Sequence, residues 1–263
     1  MNLRLQNKAA LVLAGSKGLG RAIATELARE GANVIIASRD EEQLEKTAGE
    51  IRKETGGGDV QYALCDLTQA EDIKAAVQKT VDQYGSVDVL INNSGGPKAG
   101  GFEDVNADDW QHAYELNLLS YVRATEAVLP YMKKHQNGRI VNITSSSIKQ
   151  ALDGMVLSNT FRAGVLGLTK SLSSEYAGDN IFVNTVGPGR IATDRVASLD
   201  ELKANKQGKD VAAVRKESED NIPAGRYGNP EEFAKTVTFL ASGANSYVTG
   251  EALLVDGGLV KAL

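Results

Sequence analysis

Short apolar runs alternate with longer amphipathic stretches along the whole chain. Runs of four to seven apolar residues without polar alternation suit strands buried on both faces. They predict strands at Ala9–Ala14, Asn33–Ser38, Val60–Cys65, Val87–Asn92, Arg139–Ile143, Ile181–Val186 and Ala252–Val255. The amphipathic stretches predict helices at Leu19–Glu30, Glu41–Glu54, Gln69–Tyr84, Asp108–Lys134, Leu157–Ala177 and Pro230–Ala241. Strand–helix alternation with such short connections implies repeated right-handed βαβ units. The expected fold class is α/β, a Rossmann-type doubly wound parallel sheet of about seven strands with helices on both faces. No linker, repeat or low-complexity tract divides residues 1–263, so a single domain is expected. One stretch breaks the rhythm. Residues 192–222 are polar and charged with scattered helical signals. Excursions after the carboxyl end of a strand tend to cover the ligand crevice of an open α/β sheet, so a lid is expected there. A solvated surface insertion is the plainer alternative.

Composition narrows the class. The 263 residues carry 29 Lys+Arg against 34 Asp+Glu, a net charge of −5, with 42% hydrophobic and 24% charged residues. That is an ordinary water-soluble balance, with no general electrostatic grip on nucleic acid and no basic stripe. The single Cys65 rules out an internal disulfide framework and suits a reducing compartment. No apolar run approaches the ~18 residues of a membrane helix, and the chain's start moves straight into a strand-like segment, so no membrane association and a cytoplasmic location are expected. His112 and His135 lie far apart without Cys or His neighbours, so no metal site is expected. No G-x-S-x-G elbow occurs, which argues against a Ser-His-Asp hydrolase.

The first strand runs into Gly15-Ser16-Lys17-Gly18-Leu19-Gly20 and then a helix. Glycines at such a turn let backbone amides approach a pyrophosphate, which the positive helix end stabilises. A P-loop reading fails, because Arg21-Ala22 stand where the Lys and the hydroxyl would be. The second strand ends Ser38-Arg39-Asp40. NAD binding uses a carboxylate near this point, whereas NADP needs a cation for its 2′-phosphate. Arg39 can grip that phosphate in bidentate fashion and Lys17 can add a second charge, so NADP(H) is favoured over NAD(H). Asp40 is the counter-argument.

These residues resemble the short-chain dehydrogenase/reductase family over nearly the whole chain, with 3-oxoacyl-(acyl-carrier-protein) reductase-like members the nearest in kind. ALVLAGSKGLGRAIA resembles the family's glycine turn, Cys65-Asp66-Leu67 its adenine-contacting segment, and Asn92-Asn93-Ser94-Gly95 its N-N-A-G strand end. Asn117 matches the active-site Asn, and RIVNITS places Ser145 at the active-site Ser. Pro188-Gly189-Arg190-Ile191-Ala192-Thr193 resembles the nicotinamide segment P-G-x-I-x-T, and Val255-Asp256-Gly257-Gly258 the C-terminal strand ending. The resemblance implies cofactor contacts from Gly15, Ser16, Lys17, Gly18, Leu19, Gly20, Ser38, Arg39, Asp66, Leu67, Asn93, Ser94, Gly95, Arg162, Pro188, Gly189, Ile191 and Thr193. It implies catalytic positions at Ser145, Asn117, Ser158 and Arg162. It also implies a small-molecule carbonyl or alcohol substrate, and a homotetramer with the two long helices and the C-terminal segment at its interfaces.

Two departures stand out. Leu13-Ala14 replace the family's Thr-Gly in the first turn, with Gly15 displaced by one place, which implies altered geometry near the adenosine end. The family's Tyr-x-x-x-Lys falls thirteen residues after the active-site Ser, and that count lands on Ser158 and Arg162. Spacing i,i+4 puts both on one helical face. A serine hydroxyl is a much weaker acid than a phenol of pKa ~10 and too short to take its place. Arg162 keeps a charge and can still donate to ribose hydroxyls. Losing a positioned acid costs on the order of 10²–10⁴ in rate. Lys149 and Tyr114 are the conceivable replacement acids, although a solvated lysine and a packing aromatic read more simply. Two functions follow. One is an NADP(H)-dependent oxidoreductase interconverting carbonyl and alcohol with a non-standard proton donor. The other is a nucleotide-binding sensor or partner subunit without turnover.

Overall fold

A computed structural model describes residues 1–56 and 58–262. Seven strands form one sheet: β1 Ala9–Leu13, β2 Asn33–Ser38, β3 Val60–Leu64, β4 Val89–Asn92, β5 Gly138–Ile143, β6 Ile181–Pro188 and β7 Ala252–Val255. Every pairing is parallel, in the order β3-β2-β1-β4-β5-β6-β7. The central strands β1, β4 and β5 are buried at every position. Their side chains divide by the strand's two-residue period. Ala10 and Val12 enter one layer of the core, Leu11 and Leu13 the other.

The first layer packs α1 (Gly18–Arg29), α2 (Glu41–Thr55) and α9 (Pro230–Leu240), through residues such as Ile23, Leu27, Leu44 and Phe233. The second packs α3 (Ala70–Tyr84) and α5 (Ser120–His135), through Ile73, Val77, Val128 and Met132. Ahead of α5 lies α4 (Ala107–Tyr114), and α6 (Val156–Tyr176) follows β5. Boundaries follow local chemistry. Asp40 caps α2 by accepting from the Gln43 amide at 3.0 Å, and Gly56 ends that helix at φ 57°.

Three segments differ from expectation. The long helix expected over 108–134 is α4 and α5 joined by a π-helical turn, Glu115–Leu119, which a periodicity of 3.6 cannot reveal. Residues 192–222 hold two helices where only scattered helical signals were expected: α7 (Asp194–Gln207) and α8 (Val211–Asp220). Their starts and stops are conventional, with Thr193 and Asp210 as caps and Gly208 at φ 63°. They bury few apolar side chains, only Ala204 on α7 and Val214 on α8, so the periodic signal is weak. The first strand stops at Leu13, because Ala14 turns to φ 47°.

The chain lays β2 and β3 to one side of β1, then crosses back to add β4 on the other. This makes β1/β4 the switch point, where the two connecting chains diverge above the carboxyl ends and leave a crevice.

Candidate functional site

Above that switch point a cleft of about 1420 Å³ runs along the carboxyl ends of the strands. Its walls include Ser16, Lys17, Gly18, Leu19, Ser38, Arg39, Asp66, Leu67, Asn93, Ser94 and Gly95 toward one end. Ser145, Ser158, Arg162, Pro188, Gly189, Ile191 and Thr193 line it toward the other. Gly15, Gly20 and Asn117 sit behind the wall.

The glycine turn is shaped by close approach. A Cβ on Gly20 would lie 2.2 Å from the Ala14 carbonyl oxygen, and one on Gly15 would lie 2.9 Å from Ile36 Cβ. Gly15 therefore lets the turn pack on β2, while Gly18, at φ 53°, faces Thr193 across the cleft. Ala14 adopts the left-handed backbone that its place in the turn demands, at a cost of roughly 1–2 kcal/mol that a glycine would avoid. The turn thus keeps its bend despite the substitution. Asn93 Nδ2 donates to the Ala14 carbonyl at 3.2 Å and ties the turn to the end of β4.

No side chain caps α1, whose N-cap residue is Lys17, so its first amides and positive end are available to an anion. Lys17 and Arg39 form no ion pair among the described residues. Asp40, engaged as the cap of α2, does not line the cleft. Asp66 accepts from the Thr68 amide at 2.9 Å and the Thr68 hydroxyl at 2.8 Å. Burial alone would raise its pKa, but those hydrogen bonds and the Arg39 charge hold it below the ordinary carboxylate value. An uncapped helix start, two uncommitted cations and a fixed carboxylate together fit a phosphorylated dinucleotide.

At the reaction end, Ser145 lies two residues beyond β5 and its Oγ accepts from the Ser147 amide at 3.2 Å. Ser158 and Arg162 lie one turn apart on α6, each 4% exposed. Arg162 Nη1 donates to Tyr121 Oη and to the Ile143 carbonyl, both at 2.9 Å, and Nη2 donates to Ser94 Oγ at 3.4 Å. Three of a guanidinium's five N–H groups are thereby committed to the protein wall, leaving two for the cleft. Tyr121 is wholly buried, and its hydroxyl donates to the Ile143 carbonyl at 2.7 Å. Sequence reasoning missed this residue. Asn117 lies in the π turn, so α-helical spacing from it gives no signal for Tyr121.

The π turn explains Asn117. It directs Nδ2 at Ser94 Oγ (2.9 Å) and at the Gly95 carbonyl (2.7 Å), while Oδ1 is buried with no protein partner among the described residues. Asn117, Ser94, Tyr121 and Arg162 therefore make one network under the cleft floor. Lys149 is exposed and does not line the cleft. Tyr114 does not line it either; its ring lies against Phe161, centroids 6.1 Å apart. Neither is placed to act as the missing acid. Among the described residues no cluster of His, Cys, Asp or Glu is arranged to hold a metal ion, and no helix is long and apolar enough to cross a membrane.

Comparison with known proteins gives a consistent result. Residues 13–260 match the family model described as enoyl-(acyl carrier protein) reductase. A 3-oxoacyl-(acyl-carrier-protein) reductase of Thermotoga maritima is 37% identical over 260 residues, covering 98% of this chain and all of that protein. The structure of an L-sorbose reductase from Gluconobacter frateurii, complexed with NADPH and L-sorbose, superposes with a TM-score of 0.94 at 29% identity over the full length of both chains. An actinorhodin polyketide ketoreductase with NADPH superposes with a TM-score of 0.92 at 35% identity, covering 96% of this chain and 97% of that one.

Proposed function

Because the chain belongs to the short-chain dehydrogenase/reductase family, we propose that it is an NADPH-dependent oxidoreductase interconverting a carbonyl and an alcohol by a proton route that bypasses the usual tyrosine. The observation that carries this reading is a single cleft joining the glycine turn, the Lys17/Arg39 cations and the Ser145–Ser158–Arg162 group. NADPH, when bound, supplies the hydride.

The residues divide the remaining work. Gly18, Leu19 and the start of α1 receive the pyrophosphate, which the positive helix end favours. Lys17 and Arg39 take the 2′-phosphate, and Ser38, Asp66 and Leu67 flank the adenosine. Asn93, Ser94, Gly95, Pro188, Gly189, Ile191 and Thr193 fix the nicotinamide half. Gly15 and Gly20 shape the turn from behind. Arg162 offers its two uncommitted N–H groups to ribose hydroxyls and to negative charge growing on the substrate oxygen. Ser145 donates to that oxygen, and water admitted beside the short Ser158 side chain carries in the proton. Asn117 acts one bond away, by orienting Ser94.

Magnitudes favour retained turnover at reduced rate. Loss of a positioned acid costs on the order of 10²–10⁴, whereas each donor aimed at a developing oxyanion is worth about 10²–10³. By family likeness the assembly is a homotetramer; the outward aromatic group of Phe102, Trp110, Tyr114 and Phe161 supplies an apolar contact surface.

The test is stopped-flow oxidation of NADPH over a panel of ketones, with enoyl thioesters included to separate C=O from C=C reduction. NADPH consumption with a ketone is expected. Tight NADPH binding with no turnover on any compound would replace the enzyme with a nucleotide-binding sensor or partner subunit.

A further inference from the structure

The lid helix α7 turns a charged face to the cleft. Arg195, Leu199, Lys203 and Lys206 all line it, at spacings that place them on one side of the helix. None of the three cations pairs with a carboxylate within 4 Å among the described residues. Leu202 also lines the cleft, so apolar and cationic side chains are interleaved along this wall.

Arg195 is the most constrained of them. Its Nη2 donates to the Pro97 carbonyl at 2.7 Å, bridging the lid to the loop after β4. The guanidinium lies against Gly96, where an added Cβ would come within 3.0 Å of Nε. Glycine at that position leaves it room. Solvent reaches the side chain from the cleft, yet the surrounding walls desolvate it enough to lower its pKa. One of its five N–H groups is committed to Pro97, and the others remain available. Three residues before Pro97 on the same loop is Ser94, which contacts Arg162 and Asn117. Arg195 therefore stands beside the loop that carries Ser94 to the reacting end of the cleft.

Asp104, Asp153 and Asp194 also line the cleft, and among the described residues none of them forms an ion pair with Arg195, Lys203 or Lys206. Asp104 accepts from the Gly101 amide at 2.8 Å, while Asp153 and Asp194 are exposed. An arginine with no carboxylate partner among the described residues offers charge-assisted hydrogen bonds to a ligand anion, and Lys203 and Lys206 add positive potential along the same wall.

We propose that this face selects an anionic carbonyl substrate, an oxo compound whose carboxylate or phosphate is held by Arg195 with Lys203 and Lys206 behind it. The assignment rests on the oxidoreductase reading for its chemistry but not for its binding. The lid leucines accommodate an apolar spacer between the charged group and the carbonyl.

The test uses the NADPH-loaded protein and matched probe pairs: levulinate against methyl levulinate, and dihydroxyacetone phosphate against dihydroxyacetone. Binding is read from the change in bound-NADPH fluorescence, which needs no turnover, and kcat/KM is read separately. A charge-assisted hydrogen bond makes one charged member bind about tenfold or more tighter than its neutral partner, and which pair responds identifies the headgroup. Arg195→Gln should remove that preference while leaving the neutral probe and the NADPH Kd unchanged. Lys203→Gln/Lys206→Gln, at positions outside the core, should reduce it in part and keeps the proposal testable if Arg195→Gln does not fold. Equal binding of charged and neutral members overturns it. So does an Arg195→Gln protein that loses NADPH affinity, since Arg195 would then hold cofactor phosphate. Preferential binding without NADPH consumption leaves this assignment standing and removes the reductase; ketone turnover without a charge preference does the reverse.

Discussion

A guanidinium where the family carries an ammonium changes what position 162 can do. A lysine presents one compact charge with three rotatable donors, whereas an arginine presents a planar fork. Here the fork is fixed by Tyr121, the Ile143 carbonyl and Ser94 before any ligand arrives. Such a group is preorganised to stabilise an oxyanion, but it does not surrender a proton. Ser158→Tyr combined with Arg162→Lys should therefore raise ketone reduction at least tenfold, toward the ~10²–10⁴ that a positioned acid contributes. Steady-state kcat/KM checks this; an unchanged rate would mean the pocket around Tyr121 has been rebuilt and no longer simply lacks its donor. The other residue-scale test concerns the phosphate. Arg39 lines the cleft with no ion pair among the described residues and Asp40 is occupied at its cap, so the carboxylate that would favour NAD is already committed. Arg39→Ala should weaken NADPH about tenfold or more, the value of a charge-assisted contact, and leave NADH nearly unchanged. Equal losses in fluorescence titrations of the two cofactors would remove Arg39 from that role.

Elements bring those residues together, and they were unevenly legible. Strand β1 could be read from an unbroken apolar run, and β4 and β5 from the shorter runs Val89–Ile91 and Ile140–Val141, because both sheet faces are covered. The register of Ser158 and Arg162 could be counted along α6 without a gap. Tyr121 and the π turn could not. One extra residue in a turn leaves no periodic trace, and Tyr121 acts through a guanidinium contributed by a different helix. Helices α7 and α8 were half-hidden, because their seat on the fold is polar. Asp200 on α7 is 3% exposed and accepts from Arg190 Nη1 at 3.0 Å and from Tyr227 Oη at 2.9 Å. Burial chiefly, together with that hydrogen bond to Asp200, raises the Tyr227 phenol's pKa, so the phenol stays protonated as the donor. Asp200→Ala strands both donors and should cost about 1.5–3 kcal/mol, nearer the lower figure because Arg190 keeps access to water. Hydrogen exchange should show the loss concentrated over residues 194–220. Unaltered protection there would mean that α7 and α8 are anchored by other contacts.

Across the whole molecule, the one thiol reports on burial. Cys65 is inaccessible, and its pKa is pushed up to about 12 by burial first and then by Asp72 and Asp66. The unfolded chain releases this proton near the ordinary value of 9.0, so the native state holds it more tightly. The corresponding stability is complete below about pH 9 and is lost as pH rises toward about 12. Urea unfolding of Cys65→Ala across that range should show a shallower decline than the parent; parallel curves would mean the thiol is already ionised in the native protein. The topology also sets an order of assembly. Adjacent strands β6 and β7 pair Thr185 with Ala252, and the segment from Arg190 to Tyr227, whose α7 lines part of the cleft, lies inside the loop that this pairing closes. As the chain leaves the ribosome, β1 to β6 can associate while that loop still lacks its closing strand, and long-range parallel pairings form late. The crevice edge at β1 and β4 lies wholly within strands that precede this loop, whereas the loop carrying α7 and α8 is closed only by the pairing of β6 with β7.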